Sequence, residues 1–348
     1  AIVGSYPVEI QSVTAGVNTL LGNYNISFSN GSLQVQQRPL LISAAPASKT
    51  YGSVLSFQGN EFVLSYPGPG KDDKPALVNA DQVSGVLLSS TGAPASANTG
   101  EYSILVSGAT GTGLANYDIF YQEGLLDVEP APLQITAENK SKVYGDSDPV
   151  FTVAYTGFVN EQGPDIVTGL VISRAAGESV NTYQITPSAA SAPNYSISYG
   201  MGQLTITPAQ LTVTAENKSK VYDAQAFTGF TSQISGFRFT DDASVLGGSL
   251  LYGGAAAAAT EAGTYTGGIV PSGLSSTNYT FEYVPGNLVI SPRPLTIRAN
   301  AHSKVYGQPD PVLTREITSG SLASGQVLSG SLQRATGENV GSYGISLS

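Results

Sequence analysis

The chain has 348 residues, 41% hydrophobic and only 11% charged, with 40 Gly and 20 Pro; that many helix breakers exclude a helical protein and point to a β-rich chain with frequent turns. A formal net charge of -10, with 15 Lys and Arg scattered along the chain, leaves no basic stripe to neutralise phosphates and excludes nucleic acid as a partner. Cysteine is absent, which removes disulfides and thiolate metal sites, and no apolar run reaches the roughly 18 residues that span a bilayer, so no membrane contact is expected of this segment.

The first predicted element is a strand in "AIVGSYPVEI", with a Gly-x-Tyr pattern at Tyr6. Next come "NYNISF" from Asn23 and "GSLQV" from Gly31, whose apolar residues alternate with polar ones on either side of a glycine. This pattern reads as a β-hairpin with a glycine turn. The junction "QQRP" follows, then a strand in matching phase, Leu40, Ile42 and Ala44, and then Ser-Lys-x-Tyr at Ser48 to Tyr51.

Every one of these elements returns. Asn-Tyr recurs with its tyrosine at Tyr24, Tyr117, Tyr195 and Tyr279, and the glycine turn at Gly31, Gly124, Gly202 and Gly286. Ser-Lys-x-Tyr recurs as Lys49 with Tyr51, Lys142 with Tyr144, Lys220 with Tyr222 and Lys304 with Tyr306. The two tyrosines are always 27 residues apart, while the Tyr-to-Tyr periods are 93, 78 and 84. Length therefore varies only after Ser-Lys-x-Tyr, where loops absorb insertions. Self-similarity of this kind is the signature of a tandem array.

The junctions "QQRP", "EPAP", "TPAQ" and "SPRP" carry proline, which fixes φ and extends its predecessor, so they are expected to be stiff four-residue connectors and the array a rod. The variable stretch adds strands in "FTVAYTGF", "GLVISRA" and "NTYQITPS", for about six strands per copy, and a short helical turn near "NEQGPDIV". The Ala255 to Ala259 run is too short to nucleate a helix and reads as a loop or strand edge. The copies span 39–131, 132–208 and 209–293, with the back part of a module at 1–38 and the front part of another at 294–348. The Gly-x-Tyr strand occurs in both end pieces. That doubling favours a segment of a longer tandem array over a subunit that polymerises head to tail by completing split modules.

"SKVYG" and "SKVYD", the "DPV" after two of them, the Gly-x-Tyr strand and the "NYxI" element together resemble the MBG and YDG modules of large secreted bacterial surface proteins, filamentous-haemagglutinin-like adhesins among them. The resemblance covers the whole chain. It implies an all-β tandem array of small β-grasp-like or sandwich-like modules in an extracellular stalk or fibre on the bacterial surface. The first complete copy departs from it with "SKTYGSVLSF", which lacks Asp-Pro, and the third with "YDAQAF", so no role of Asp-Pro extends to every copy.

The recurring Lys and Tyr pairs are read as core anchors, each tyrosine hydroxyl meeting a backbone partner and each lysine stem lying over apolar surface, against the alternative of a ligand patch repeated along the array. Asp146 and Asp148 are the weak calcium candidates, with the pairs Asp72–Asp73 and Asp241–Asp242 as further acidic clusters, but no Asp-x-Asp-x-Asp-Gly loop accompanies them. His302 is the only histidine, and no Gly-x-Ser-x-Gly elbow surrounds a serine, so neither catalysis nor a cofactor is expected. Asn-x-Ser/Thr occurs at Asn25, Asn30, Asn139, Asn194, Asn217 and Asn278, a frequency that chance supplies in such a composition. The leading expectation is a non-enzymatic stalk segment that spaces a distal binding region from the cell, its partners being neighbouring modules. The second reading is a repeated module that binds host or matrix glycans or mucins.

Overall fold

In a computed structural model, residues 1–69 and 74–347 are described. The protein is almost wholly β. Two compact units form: one holds Ala1–Glu138, Phe151–Arg174 and Gln184–Gly202, the other Asn139–Val150, Ala175–Tyr183 and the described residues from Gln203 onward. The division runs through the second copy of the repeat.

The first copy shows the plan. Its strands are Arg38–Ala44, Ala47–Thr50, Phe62–Ser65, Gln82–Ser89, Gly100–Thr112, Tyr117–Gln122 and Gly124–Glu129. We call the first the opening strand, the second the Ser-Lys strand, and the last three the Gly-Tyr, Asn-Tyr and Gly-Leu strands. In one sheet the opening strand lies between Phe62–Ser65, antiparallel, and the Asn-Tyr strand, parallel. In the other, the Gly-Leu strand lies between the parallel Ser-Lys strand and the antiparallel Gly-Tyr strand, which also pairs with Gln82–Ser89. The third copy repeats both sheets from Ala209–Ala215 to Gly286–Ser291. The second copy repeats the three-stranded sheet around Ala131–Ala137 and the parallel pair of Lys140–Val143 with Gly202–Thr207. In the fourth, Thr296–Ala299 pairs with Arg315–Ser319 and Leu332–Arg334 with Ile345–Leu347.

This corrects three expectations. Among the described residues each complete copy has seven strands, because the 13-residue Gly-Tyr strands Gly100–Thr112 and Gly263–Ser275 and their neighbours form a full four-stranded sheet. The Asn-Tyr and Gly-Leu strands form no hairpin, since they belong to different sheets. The glycine between them turns a corner from one sheet to the other, beside the corner that the opening strand makes. A Cβ on Gly124, Gly202 or Gly286 would sit 2.6, 2.6 or 2.7 Å from the carbonyl oxygen of Ala44, Ala137 or Ala215. Only glycine lets the two corners touch. Two of the junctions are also shorter than four residues: a single proline, Pro130 or Pro208, separates the Gly-Leu strand of the first or second copy from the next opening strand, whereas residues 292–295 keep a four-residue junction before Thr296–Ala299.

Period-two burial runs as the sequence implies. Leu40, Ile42, Leu126, Leu133, Ile135, Leu204, Leu211, Val213 and Leu288 are fully buried, each such side chain contributing roughly 1.5–3 kcal/mol. In the first unit one core continues from the first copy into the opening strand and Tyr195 of the second. In the third copy the alanine run forms a turn, not a strand edge, and Ala256 and Ala259 pack with Ile269, Leu288 and Ile290. A 3-10 turn at Pro164–Ile166 lies where the helical turn was expected.

Candidate inter-module joint

The repeated tyrosines meet where one copy ends and the next begins. Tyr51 of the first copy and Tyr195 of the second stand edge to face, ring centroids 5.7 Å apart. Tyr144 of the second and Tyr279 of the third do the same at 5.3 Å. Between each pair of hydroxyls sits an acceptor from a loop of the later copy. Gln162 Oε1 accepts from Tyr195 at 2.7 Å and from Tyr51 at 3.4 Å; Asp241 Oδ2 accepts from Tyr279 at 2.7 Å and Tyr144 at 2.9 Å.

That acceptor is held by a turn of fixed form. The backbone N–H of Asp81, Gln162, Asp241 and Gln326 each bonds the carbonyl three residues earlier, on Val78, Val159, Arg238 and Ala323. The N–H of Val78, Val159 and Arg238 in turn donates to the hydroxyl of Tyr117, Tyr195 and Tyr279, at 2.9, 3.0 and 2.8 Å. The asparagine before each tyrosine ties back to the preceding copy: Asn116, Asn194 and Asn278 accept through Oδ1 from the N–H of Val3, Thr99 and Val180, each at 2.9 Å. Gly52 and Gly145, just after the joint tyrosines, have φ of 87°. A Cβ there would strike Val159 or Arg238 of the following copy at 2.5 or 2.4 Å, so the glycine serves both the left-handed backbone and the close approach.

Burial is the first cause that lifts the phenol pKa at Tyr117, Tyr144 and Tyr279, the last up to about 12, and Asp241 adds its charge to the latter two. These hydroxyls stay protonated as donors over the physiological range. Tyr51 and Tyr144 thus find side-chain acceptors in the next copy, where a backbone partner was expected, while Tyr306, also expected to anchor a core, is 69% exposed. Sequence reasoning missed Asp81, Gln162 and Gln326, and weighed Asp241 only as part of an acidic cluster for calcium, whereas it accepts from two tyrosines. They lie in the stretch of variable length, and the site asks only for a hydrogen-bond partner: Asp81, Gln162 and Asp241 accept from a tyrosine, whereas Gln326 donates through Nε2 to the Tyr222 hydroxyl.

The lysines do not form an exposed patch. Lys49 and Lys142 are buried. Lys142 Nζ donates to Asp148 at 2.7 Å and Glu178 at 2.5 Å; burial opposes its charge, but the two carboxylates prevail and its pKa rises. Lys304 repeats this with Asp310 and Glu338 at 2.6 and 2.9 Å, joined by Arg334. Lys49 donates to the carbonyls of Ser53 and Pro94, at 2.9 and 2.6 Å, and burial lowers its pKa. Lys220 is held by Asp223 and the carbonyl of Gln225. The calcium candidates face cations instead, Asp148 toward Lys142 and Asp146 toward Arg238 at 3.7 Å. Among the described residues no group of three or more metal-ligating side chains forms, and the Asp72–Asp73 pair lies outside the described residues. His302 is exposed and bonds Thr314.

Comparison with known proteins agrees with the repeat. No curated protein matches the chain. Among solved structures, the titin I9–I11 tandem aligns over 73% of this chain and 99% of its own, at 12% identity and a TM-score of 0.20. Sidekick-1 immunoglobulin domains 1–4 align over 75% of each chain, at 9% identity and a TM-score of 0.17. The pattern of the MBG domain (YGX type) matches four times, at residues 40–127, 133–205, 211–289 and 295–348. The four matches together cover most of the chain and each contains the recurring Ser-Lys-x-Tyr element, so the chain belongs to the MBG domain family, YGX type.

Proposed function

We propose that this chain is a non-enzymatic structural segment of a bacterial cell-surface adhesin, a stalk or fibre that holds a distal binding region away from the cell. The observation that carries the reading is the joint. The repeated residues fasten the first copy to the second and the second to the third: both tyrosines, the asparagine, the loop acceptor and the glycine all act there. A chain whose recurring side chains serve continuity transmits force and sets reach. The expected extracellular setting follows from the same family of surface proteins.

Pulling the chain by its ends tests this. Successive unfolding steps of roughly 25–30 nm are expected, since a module of about 80 residues spans at most ~3.3–3.6 Å per residue when extended. A single rupture that releases the whole chain would refute the spacer reading, and saturable binding to a glycan or mucin array would favour the binding module in its place.

A further inference from the structure

The two joints follow one plan but use acceptors of different character. In the first, Lys49 donates to the carbonyls of Ser53 and Pro94, the Gln162 amide accepts from both tyrosines, and Gly52 lies against Val159. In the second, Lys142 donates to Asp148 and Glu178, Asp241 stands in the place of Gln162, and Gly145 lies against Arg238, which faces Asp146. Uncharged acceptors serve the first joint and carboxylates serve the second.

The acidic pair is present or absent as a set. Asp148 lies six residues after Lys142 and Glu178 five before Tyr183, and Asp310 and Glu338 keep those spacings from Lys304 and Tyr343. An arginine accompanies the pair both times, Arg174 and Arg334. In the first copy Leu55 and Ala97 hold the two acidic places, and in the third Ala226 and Thr260 hold them.

The set in the second copy encloses the part of the chain that enters the third. Between Lys142 and Asp148 lie Tyr144, whose ring meets Tyr279 and Phe239 edge to face, and Gly145. The lysine side chain is 4% exposed, whereas those of Asp148 and Glu178 are 32% and 45% exposed. Protons from solvent therefore reach the acids while the ammonium stays inside. The strand paired with it, Gly202–Thr207, brings no titratable side chain. Around the loop the charged and titratable groups are Asp148, Glu178 and, in the position of Arg334, Arg174, with Asp146, Arg238, Asp241 and the two tyrosines toward the third copy.

An ammonium left buried without its counter-charges is unstable there and moves to water. Lys142 keeps its charge throughout the acid range, since its pKa lies above the usual lysine value. In the fourth copy the hydrogen bond from Arg334 draws Asp310, and that from Lys304 draws Glu338, below their ordinary values of 3.8 and 4.5. Carboxylates held in this way stabilise the fold fully above those values, and the contribution is lost as pH falls below them.

We propose that Lys142, Asp148 and Glu178 form an acid-release clasp on the joint between the second and third copies. Protonation of the two carboxyls frees the loop that carries Tyr144, while the first joint, whose acceptors are carbonyls and an amide, stays shut. The clasp deepens the joint reading, on which it rests.

Hydrogen exchange of the full chain, expressed as protection factors so that the pH dependence of exchange itself cancels, tests this near neutrality and at about pH 3. Residues 142–150 are expected to lose protection about tenfold or more in acid, and residues 49–57 to keep theirs within about twofold. Equal loss at the two joints, or undiminished protection at the second, overturns the proposal. Lys142→Met with Asp148→Asn and Glu178→Gln removes all three charges at similar volume and should leave residues 142–150 equally protected at both pH values. Acid loss that survives in this variant also overturns the clasp and moves the response to Asp241; if the variant does not fold, the two joints of the native chain decide. Protection of both loops at neutrality reports the joints themselves, so a failure of the joint reading shows there, and a failure of the clasp shows only in acid.

Discussion

A phenol wedged between two modules serves the joint only while it keeps its proton. Tyr279 donates to Asp241 at 2.7 Å and accepts from Arg238 N–H at 2.8 Å, and burial with the Asp241 charge pushes its pKa up to about 12. In the unfolded chain the same group ionises near its ordinary value of 10.0. Between these limits the folded state binds the extra proton, so stability falls as pH rises from about 10 toward 12 and is unaffected below. Chemical denaturation across that window is expected to show the loss, and Tyr279→Phe should remove much of its slope. An unchanged slope in the variant would place the alkaline sensitivity elsewhere. The contrast of Lys49 with Lys142 follows the same physics, because burial alone lowers an ammonium pKa and paired carboxylates restore it.

At the scale of elements, the corner glycine is what makes two sheets from one run of alternating residues. The opening strand and the Asn-Tyr strand cross from their sheet to the other at adjacent points, so backbone meets backbone. Gly202→Ala puts a Cβ 2.6 Å from the Ala137 carbonyl oxygen, and neither backbone can yield without breaking strand pairs. A loss of about 1–3 kcal/mol is expected. Gly31 occupies the same place in the repeat, but the nearest atom to its Cβ is on Val8 at 3.8 Å, so Gly31→Ala should stay within about 0.5 kcal/mol. Thermal unfolding of the two variants side by side checks the explanation; equal losses would mean that glycine matters there for its flexibility and not for the contact.

For the molecule as a whole, the joint makes neighbours interdependent. Tyr51, Leu133, Ile135 and Tyr195 share one core, although they come from two copies. Tyr195→Ala is expected to cost about 3–5 kcal/mol by cavity formation and to raise hydrogen exchange around residues 48–53 as well as in its own copy. The third copy should keep its protection, because coupling in a tandem array runs between neighbours. Exchange that rises uniformly over residues 40–291 would mean one cooperative domain, and exchange confined to residues 131–207 would mean that the joint carries no energy.

The repeat and the all-β class were legible in the sequence, because they rest on local periodicity and on recurrence of the same residue types, but recurrence does not tell Tyr51 and Tyr279, which are buried, from Tyr24 and Tyr306, which are exposed. "NYSISYGMGQLTIT" announces two strands and a glycine through alternation alone. It does not say that the strands part into different sheets, since a hairpin and a corner have the same pattern, and the choice is made by which distant strand each edge meets. The partners of the tyrosines were hidden for a related reason. Gln162 and Asp241 differ in identity and lie in a stretch of changing length, and they become equivalent only when the turn carries them to the same point in space. Local alternation thus determined what is buried, while long-range pairing decided which copy buries it.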